Sequence, residues 1–566
     1  MKEEAVVADT YILGISCFMH DSSACILKNG VVIAFAEEER FNREKHTRKF
    51  PEHAIDYCLA EAGIGMDRVA YAGFFWKPWK GMLRRLFNLL RSYGYSYHRI
   101  GLYWRNFIAM LLVPRTLRIR YGYKGKFIFV SHHKAHISAA YYYSPFKDAA
   151  ILSIDGTGEY ETVVCAAIEN GMQKVISRSL YPNSLGLFYG SVTELLGFRI
   201  NCDEGKVMGL SSYGKPAFYD SLKKLIRVSS KGVISVDRKH YNFDTKEPLS
   251  GWENLNGTGL KRGCLEPIKQ AHEDLAASVQ KVFEDTLLEL IKYMRGRTAS
   301  DNLCLNGGVF LNCVANSRIV RESGFKNIYI FPIPNDAGTA IGAACHIYFE
   351  VLKKKNRCLL ENICLGPKYS GLSIENVLKK YGLKYEKTAD IVKRTAALLA
   401  ANKVVGWFQG AMEGGPRALG NRSILASPIS ENMKDTLNNK VKHREPFRPF
   451  APAVLFERKD ECFEMEGIES PYMLFALPVK EGQKERMPAI VHVDGTARIQ
   501  TVRQKDNPQF YSLIKEFNGL TGLPVILNTS FNVKGEPIVC SPEDAVKCYL
   551  STNIDVLCLG EYLIEK

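Results

Sequence analysis

From Ala149 to Thr162 the chain reads AAILSIDGTGEYET, an apolar strand that runs straight into an acid- and glycine-containing turn. Two further stretches repeat that plan: GISCFMHDSSA from Gly14 to Ala24, and NGGVFLN from Asn306 to Asn312. Each sets small residues directly after an apolar run, where backbone N–H groups can approach an anion without a side chain in the way. Outward from these turns, Tyr11 to Leu27 and Val31 to Ala36 read as two strands joined through Lys28-Asn29-Gly30, and Asn-Gly is a hairpin signal. FPEHAIDYCLAEAGI, from Phe50, has helical periodicity, and residues 265–295 form a second, longer helical stretch before the strand-like NLCLN. Strands alternating with helices, with glycine at the strand ends, predict an α/β architecture.

The alternation breaks from Val351 to Gly366, VLKKKNRCLLENICLG, which reads as a linker between residues 1–360 and 361–566. Beyond it come a helix near Ile391–Asn402, the strand VVGWF and a glycine-rich loop, EGGPRALGNRSILASP, carrying Arg417 and Arg422. Lys440, Lys442, Arg444 and Arg448 follow in NKVKHREPFRPFAP, and Arg498 and Arg503 in DGTARIQTVR. Cations outnumber acids in each motif, and arginine forks suit phosphate oxygens. Asn528, Thr529, Ser530 and Asn532 follow the strand PVILN and offer amide and hydroxyl contacts. The set reads as a polyanion site; contact with an RNA backbone and a structural role for the arginines are the alternatives. A last helix is capped at Ser541-Pro542-Glu543.

His132 and His136 lie four apart in HHKAH, so on a helix they share a face and can chelate one cation. Asp155, at the end of the Ala149 strand, and Asp336, in PNDAGTAIG, are acids that fit a shared site. Two imidazoles and two carboxylates suit a divalent transition ion, Fe(II), Zn(II) or Mn(II). A structural histidine pair is the alternative.

With 566 residues the chain is long for one domain, and 46% hydrophobic with 24% charged residues describes a soluble chain able to bury a large core. Its fifteen cysteines include no Cys-x-x-Cys pair, and MKEEAVVADTY lacks the regions of a signal peptide, so a reducing cytoplasm is expected. No apolar run approaches the roughly 18 residues that span a bilayer. The net charge of +15 is concentrated: residues 77–126 hold twelve Lys or Arg and no Asp or Glu, with Tyr93, Tyr95, Tyr97, Tyr103, Trp104 and Phe107 and helically spaced Leu86, Leu89 and Leu90. That stretch reads as a nucleic-acid surface, an amphipathic element on anionic lipid, a contact for an anionic substrate or partner, or a solvated helical excursion. The remainder is close to neutral, which argues against a general nucleic-acid binder.

The three turns in this order resemble the phosphate and adenosine signatures of the actin-like ATPase fold. HDSSA, HHxxH, DGTGE, EGKVMGL, NGGVFLN, GGPRALGNRSILA, RPFAPAVL and NTSFNVKGEPIV, from about Tyr11 to Glu561, stand in the order found in the O-carbamoyltransferases of antibiotic and nodulation-factor biosynthesis. The resemblance implies an N-terminal actin-like ATPase domain (ASKHA-type) with a duplicated α/β core over residues 1–360, with 77–126 as a basic aromatic insertion. It implies a YrdC-like α/β domain over residues 361–566. It further implies that carbamoyl-adenylate is made in the C-terminal domain from carbamoyl phosphate and ATP with Mg(II), and is consumed at the N-terminal metal on a hydroxyl of a small-molecule or glycan acceptor.

In that scheme Arg417, Arg422, Lys442, Arg498, Asn528 and Ser530 hold the anions, with Thr529 and Asn532 beside the nucleotide. Gly156, Gly158, Asn306, Gly307 and Gly308 line the N-terminal nucleotide site. His132, His136, Asp155 and Asp336 bind the metal, Fe(II) being favoured, and His20 is the general base. One departure is that the family's Gly-Leu-Ala-Pro-Tyr-Gly stands here as Gly209-Leu210-Ser211-Ser212-Tyr213-Gly214. Residues 77–126 match no family motif. A tRNA-modifying carbamoyl or threonylcarbamoyl transferase, and a non-enzymatic ATP-binding sensor, are the rival functions.

Overall fold

A computed structural model describes residues 9–84, 96–245, 247–252 and 260–566, with the side chains of 96–103 outside that description. The expected stripe of Leu86, Leu89 and Leu90, and Tyr93 and Tyr95, lie outside the described residues.

The first five-stranded sheet contains β1 (Tyr11–Ser16), β2 (Ser23–Lys28), β3 (Val31–Glu37), β4 (Val69–Phe74) and β5 (Lys126–Phe129), in the order β3-β2-β1-β4-β5. The first three run antiparallel, and β4 and β5 join β1 in parallel. The second sheet repeats this plan with β6 (Ala149–Ile154), β7 (Glu161–Glu169) and β8 (Met172–Leu180) as the antiparallel triplet. After a short ribbon, β9 (Ile226–Val228) and β10 (Ile234–Val236), it is completed by β11 (Asn302–Asn306) and β12 (Asn327–Ile330), parallel to β6. The expected duplicated α/β core is therefore present as two sheets of identical order. The strands β1 and β6 are buried along their whole length, as strands covered on both faces must be.

Tyr11–Leu27, expected as one strand, is two, because Phe18 and Asp21 take positive φ (73° and 47°) and turn the chain at His20. The Asn29-Gly30 hairpin forms as read, with both residues left-handed (φ 52° and 89°).

Four helices matter to the site: α1 (Ser96–Tyr121), α2 (His132–Tyr142), α3 (Gln270–Arg295) and α4 (Thr339–His346). α2 and α4 cross so closely that a Cβ on Gly342 would lie 2.1 Å from the Ala135 carbonyl oxygen.

The C-terminal part is an eight-stranded mixed sheet. Its strands are β13 (Glu386–Lys387), β14 (Val405–Phe408), β15 (Arg422–Ala426) and β16 (Ala451–Leu455), then, after the ribbon of β17 (Ala476–Pro478) and β18 (Thr496–Arg498), β19 (Gln500–Val502), β20 (Val525–Ser530), β21 (Val556–Leu559) and β22 (Tyr562–Glu565). Its order is β13-β22-β21-β14-β15-β20-β16-β19. The core of the second sheet continues into this one without a break.

Of the expected linker, Val351 to Gly366, Val351 ends a helical turn and residues 352–366 are irregular but pinned on both sides. Phe35 N–H donates to the Leu365 carbonyl (3.2 Å), and Gly414 N–H donates to that of Ile363 (2.8 Å). Among the described residues no helix is long and apolar enough to cross a membrane.

Candidate active site

α2 begins beside a buried carboxylate and ends on a guanidinium, and both ends set its histidines. Glu159 Oε1 accepts the His132 N–H at 2.8 Å, and a carboxylate at a helix N-terminus is favourable. At the other end Arg357 donates to the carbonyls of Tyr141 and Tyr142 (3.3 Å) in the last turn and to those of Ser144 (2.9 Å) and Phe146 (2.6 Å) just beyond it. Held in this way, α2 aims His132 and His136 at the ends of β6 and β11. His136 Nε2 lies 3.2 Å from Asp155 Oδ2 and 3.7 Å from Asp336 Oδ1; His132 Nε2 lies 3.5 and 3.7 Å from the same atoms. The four ligand atoms fall within 4.8 Å of one another.

Both histidines are fully buried, and all four of their ring nitrogens lack a well-formed hydrogen bond. Buried polar groups left unpaired are expensive, and one cation would engage both Nε2 atoms together with the two carboxylates, so the donors fit a divalent ion. Burial alone would lower the His136 pKa, but the carboxylates of Asp155 and Asp336 beside it carry it up to about 9. The Asp155 carboxylate is oriented by two glycine amides, Gly156 N–H on Oδ1 (2.7 Å) and Gly308 N–H on Oδ2 (3.3 Å).

These bonds change the reading of the glycine turns. The Gly156 and Gly158 amides are engaged inside their own turn, the latter on Glu161 O at 2.7 Å. Gly158 instead makes room for the histidines: a Cβ there would meet His132 at 3.0 Å and His133 at 3.1 Å. Gly307 has φ 115°, and a Cβ on it would lie 1.9 Å from Ile154 O, so only glycine fits. Asn306 is buried away from the cavity, bonding His136 O and the Gly307 amide (both 2.8 Å). It braces α2 and does not line the nucleotide site. Gly156 and Gly308 do line the cavity.

His20 sits in the β1–β2 turn with both nitrogens engaged, Nδ1 on Asp21 Oδ2 (2.9 Å) and Nε2 on the Asn201 carbonyl (2.7 Å). Burial opposes its charge, but the Asp21 charge and hydrogen bond raise its pKa well above the ordinary value. As placed it is an imidazolium donating two hydrogen bonds, which corrects the expectation of a free general base. Asp21 also bonds His46 Nδ1 (2.8 Å) and Asn335 Nδ2 (2.8 Å).

At the opposite wall stand the C-terminal cations. Arg417 and Arg498 face the cavity with unpartnered Nε atoms. Burial, and then its neighbour Arg498, push Arg417 down to about 9. Burial also lowers Arg498 and Arg448, and Arg444 further still with Arg448 beside it. Lys442 is fixed among Ser530 O, Asn532 O (3.0 Å) and Asn532 Oδ1 (3.0 Å). Asn528 is held through Nδ2 by Gln500 Oε1 (2.7 Å), leaving its Oδ1 unpartnered; Thr529, Ser530 and Asn532 line the same wall. A cluster of half-buried cations around the buried Lys442, with so few carboxylates, is poised for an anion.

Arg422 is not part of that wall. It is fully buried on Phe408 and gives its fork to the carbonyls of Gln409 (2.6 Å), Pro367 (2.8 Å), Asn421 (3.0 Å) and Gly410 (3.2 Å). It stitches the glycine-rich loop, helped by Glu413 Oε1, which accepts the amides of Leu419, Asn421 and Arg422. The expectation that Arg422 is catalytic is corrected to a structural role. Lys440 and Arg503 likewise lie off the wall; Arg503 pairs with Glu469.

One cavity of about 1080 Å³ joins the two groups, reaching from Asp155, Asp336 and His20 to Arg417, Lys442, Arg498 and Asn528. The Ser211-Ser212 variant of the family turn spans the same junction, Ser212 Oγ donating to Asp494 Oδ2 (2.8 Å) near β18.

Residues 11–345 match the family described as carbamoyltransferase N-terminus, and residues 396–566 match carbamoyltransferase C-terminus. The chain belongs to the carbamoyltransferase family. It is 38% identical over 98% of its length to an uncharacterised protein of a Synechocystis strain, which it covers to 97%. It is 37% identical to nodulation protein NolNO of Sinorhizobium fredii, over 97% of this chain and 79% of that one. Among solved structures, component A of the Acidaminococcus fermentans (R)-2-hydroxyglutaryl-CoA dehydratase covers 61% of this carbamoyltransferase and 99% of itself, at 16% identity and a TM-score of 0.34. Family membership makes the chain an enzyme of the carbamoyltransferase class. Glu159 and Arg357 escaped the sequence reading. Glu159 was signalled by the last residue of DGTGE, whereas nothing local marks Arg357.

Proposed function

We propose that this carbamoyltransferase is ATP-dependent and works in two steps within the one cavity. Carbamoyl phosphate is first hydrolysed to carbamate and phosphate. A carbamate oxygen then attacks the α-phosphorus of ATP and pyrophosphate leaves. In the second step an acceptor hydroxyl oxygen attacks the carbamoyl carbon, AMP departs with the bonding pair, and the hydroxyl proton is released. The acceptor is a small molecule or glycan, a reading supported by the nodulation-protein relatives. The observation that carries the proposal is the continuity of the cavity between the two groups: an adenylate made at one wall reaches the other without crossing bulk water, which would hydrolyse it.

Arg417 and Arg498, with their free Nε atoms, hold the triphosphate, and Arg444 and Arg448 add charge as pyrophosphate forms. Lys442, positioned by Ser530 and Asn532, neutralises the reacting phosphate, and Asn528 Oδ1 accepts an N–H of the carbamoyl group. Thr529 and Gly308 lie against the nucleotide. In the N-terminal half His20, its ring held by Asp21 and the Asn201 carbonyl, contributes positive charge toward the developing oxyanion or the AMP phosphate. A divalent ion held by His132, His136, Asp155 and Asp336 would supply Lewis acidity toward a phosphate or carbonyl oxygen. The repeated sheet order supports an actin-like ATPase half spanning 1–360, and the cation-lined mixed sheet is taken as the YrdC-like, adenylate-forming half over 361–566.

Mass spectrometry of reactions containing ATP, Mg(II) and carbamoyl phosphate tests the scheme. Arg417→Ala should form no carbamoyl-adenylate, while His132→Ala should form it and fail to pass it on. Adenylate in the first variant at the wild-type level, or none in the second with the fold intact, would refute the division of labour.

A further inference from the structure

Most of the described part of the basic segment is α1, and its two faces differ. Met110, Val113 and Leu117 are buried against the body of the protein. On the outward face stand Trp104, Ile108, Leu111, Leu112 and Ile119, all between 40% and 73% exposed. At 3.6 residues per turn this spacing gathers them into an arc of roughly 100°, the width of an apolar stripe. Arg115 lies within the stripe, and Arg105 and Arg118 flank it on opposite sides; none forms an ion pair among the described residues. No Asp or Glu occurs anywhere in 77–126. A cationic border around exposed leucine and isoleucine is the pattern of a helix lying in the plane of a bilayer interface. There the apolar face sinks to the level of the acyl boundary and the arginines meet anionic headgroups.

We infer that α1 docks this carbamoyltransferase onto an anionic lipid bilayer. RNA would use the arginines but leave the apolar stripe without a partner. A second copy of the chain would bring two cationic borders together. The consequence for the enzyme lies on the helix's inner edge. Asn106, Phe107 and Met110 line the cavity that also contains Asp155 and Asp336, so docking sets that wall of the cavity beside the membrane surface. The inference stands on the helix face alone and does not depend on the reaction scheme.

Flotation of the full chain with phosphatidylcholine vesicles, with and without phosphatidylglycerol, tests it. The wild type should float with the anionic vesicles, and release at high salt should follow. Ile108→Glu combined with Leu111→Glu should lower partitioning by about tenfold or more, and Arg115→Glu with Arg118→Glu by a comparable factor. These side chains are exposed, so an unchanged Tm shows that each variant is folded. Three results would overturn the inference: no flotation with anionic vesicles, flotation indifferent to the apolar pair, or a solution dimer that the apolar pair dissolves. Tight RNA binding that survives the apolar substitutions would assign the arginines to nucleic acid instead.

Discussion

At the residue scale, arginines that look alike in the sequence divide by what their donors meet. Arg417 and Arg422 sit in one motif, yet Arg422 spends its fork on four carbonyls while Arg417 faces the cavity. Charge and spacing indicated a polyanion site but could not show which guanidinium was already satisfied, because its partners come from Pro367 and Gln409. The paired histidines His132 and His136 were legible from their helical spacing, and Asp155 from its position at a strand end. His136 makes this site sensitive to pH. Its unfolded value is about 6.5, and the two carboxylates hold it near 9 in the fold. Stability from this pairing is therefore fully present below about pH 6.5 and is lost as pH rises through about 9. A metal must displace the same proton, so apparent affinity for Zn(II) should climb toward pH 9, by up to about tenfold per unit. Chelator competition across that range checks this, and a flat profile would show that His136 does not ligate.

At the scale of elements, α2 depends on contacts remote in sequence. Periodicity and composition predicted the strands β1, β6 and β11 and the long helix α3, since each is recorded in local pattern. The cap from Arg357 and the close crossing at Gly342 are not so recorded, being made by residues some 200 positions away. A Gly342→Val side chain would force α2 off α4 and carry His132 and His136 with it. It should lower stability by about 2–4 kcal/mol and weaken metal binding together. Arg357→Ala strips the helix end of its donors and should destabilise by about 2–3 kcal/mol, leaving adenylate formation in the C-terminal half intact once folded. Urea unfolding read beside metal titration separates the two variants.

At the scale of the molecule, the halves are joined by charge as well as by core. Arg40 in the N-terminal half bonds Glu37 (2.6 Å) and Glu39 (2.7 Å) and reaches Gly415 O (2.8 Å) in the glycine-rich loop. Across the junction Glu445 meets Lys206 at 3.2 Å, and within its own half it meets Lys534 at 3.2 Å. Burial alone would raise the Glu445 pKa, but a backbone hydrogen bond and the charge of Lys206 hold it down at about 2. Its contribution is complete above about pH 4.5 and disappears as pH falls through about 2, on the order of 1–2 kcal/mol after solvent screening. The acid-induced loss of stability should therefore be smaller in Glu445→Gln than in the wild type when both are unfolded in urea from pH 5 downward. Equal losses would show that this junction is not held by that charge.

The strap at 352–366 bears on how the chain can be divided. Its Arg357 serves the N-terminal half, while Ile363 and Gly366 anchor the loop of the C-terminal half. A gene cut between Arg357 and Ile363 leaves these residues with the halves they serve, but it takes Leu365, whose carbonyl accepts the Phe35 N–H, away from the N-terminal half. Shuffling halves among relatives to change acceptor preference is therefore better attempted with residues 352–366 kept whole, and with their contacts on both sides taken from one parent.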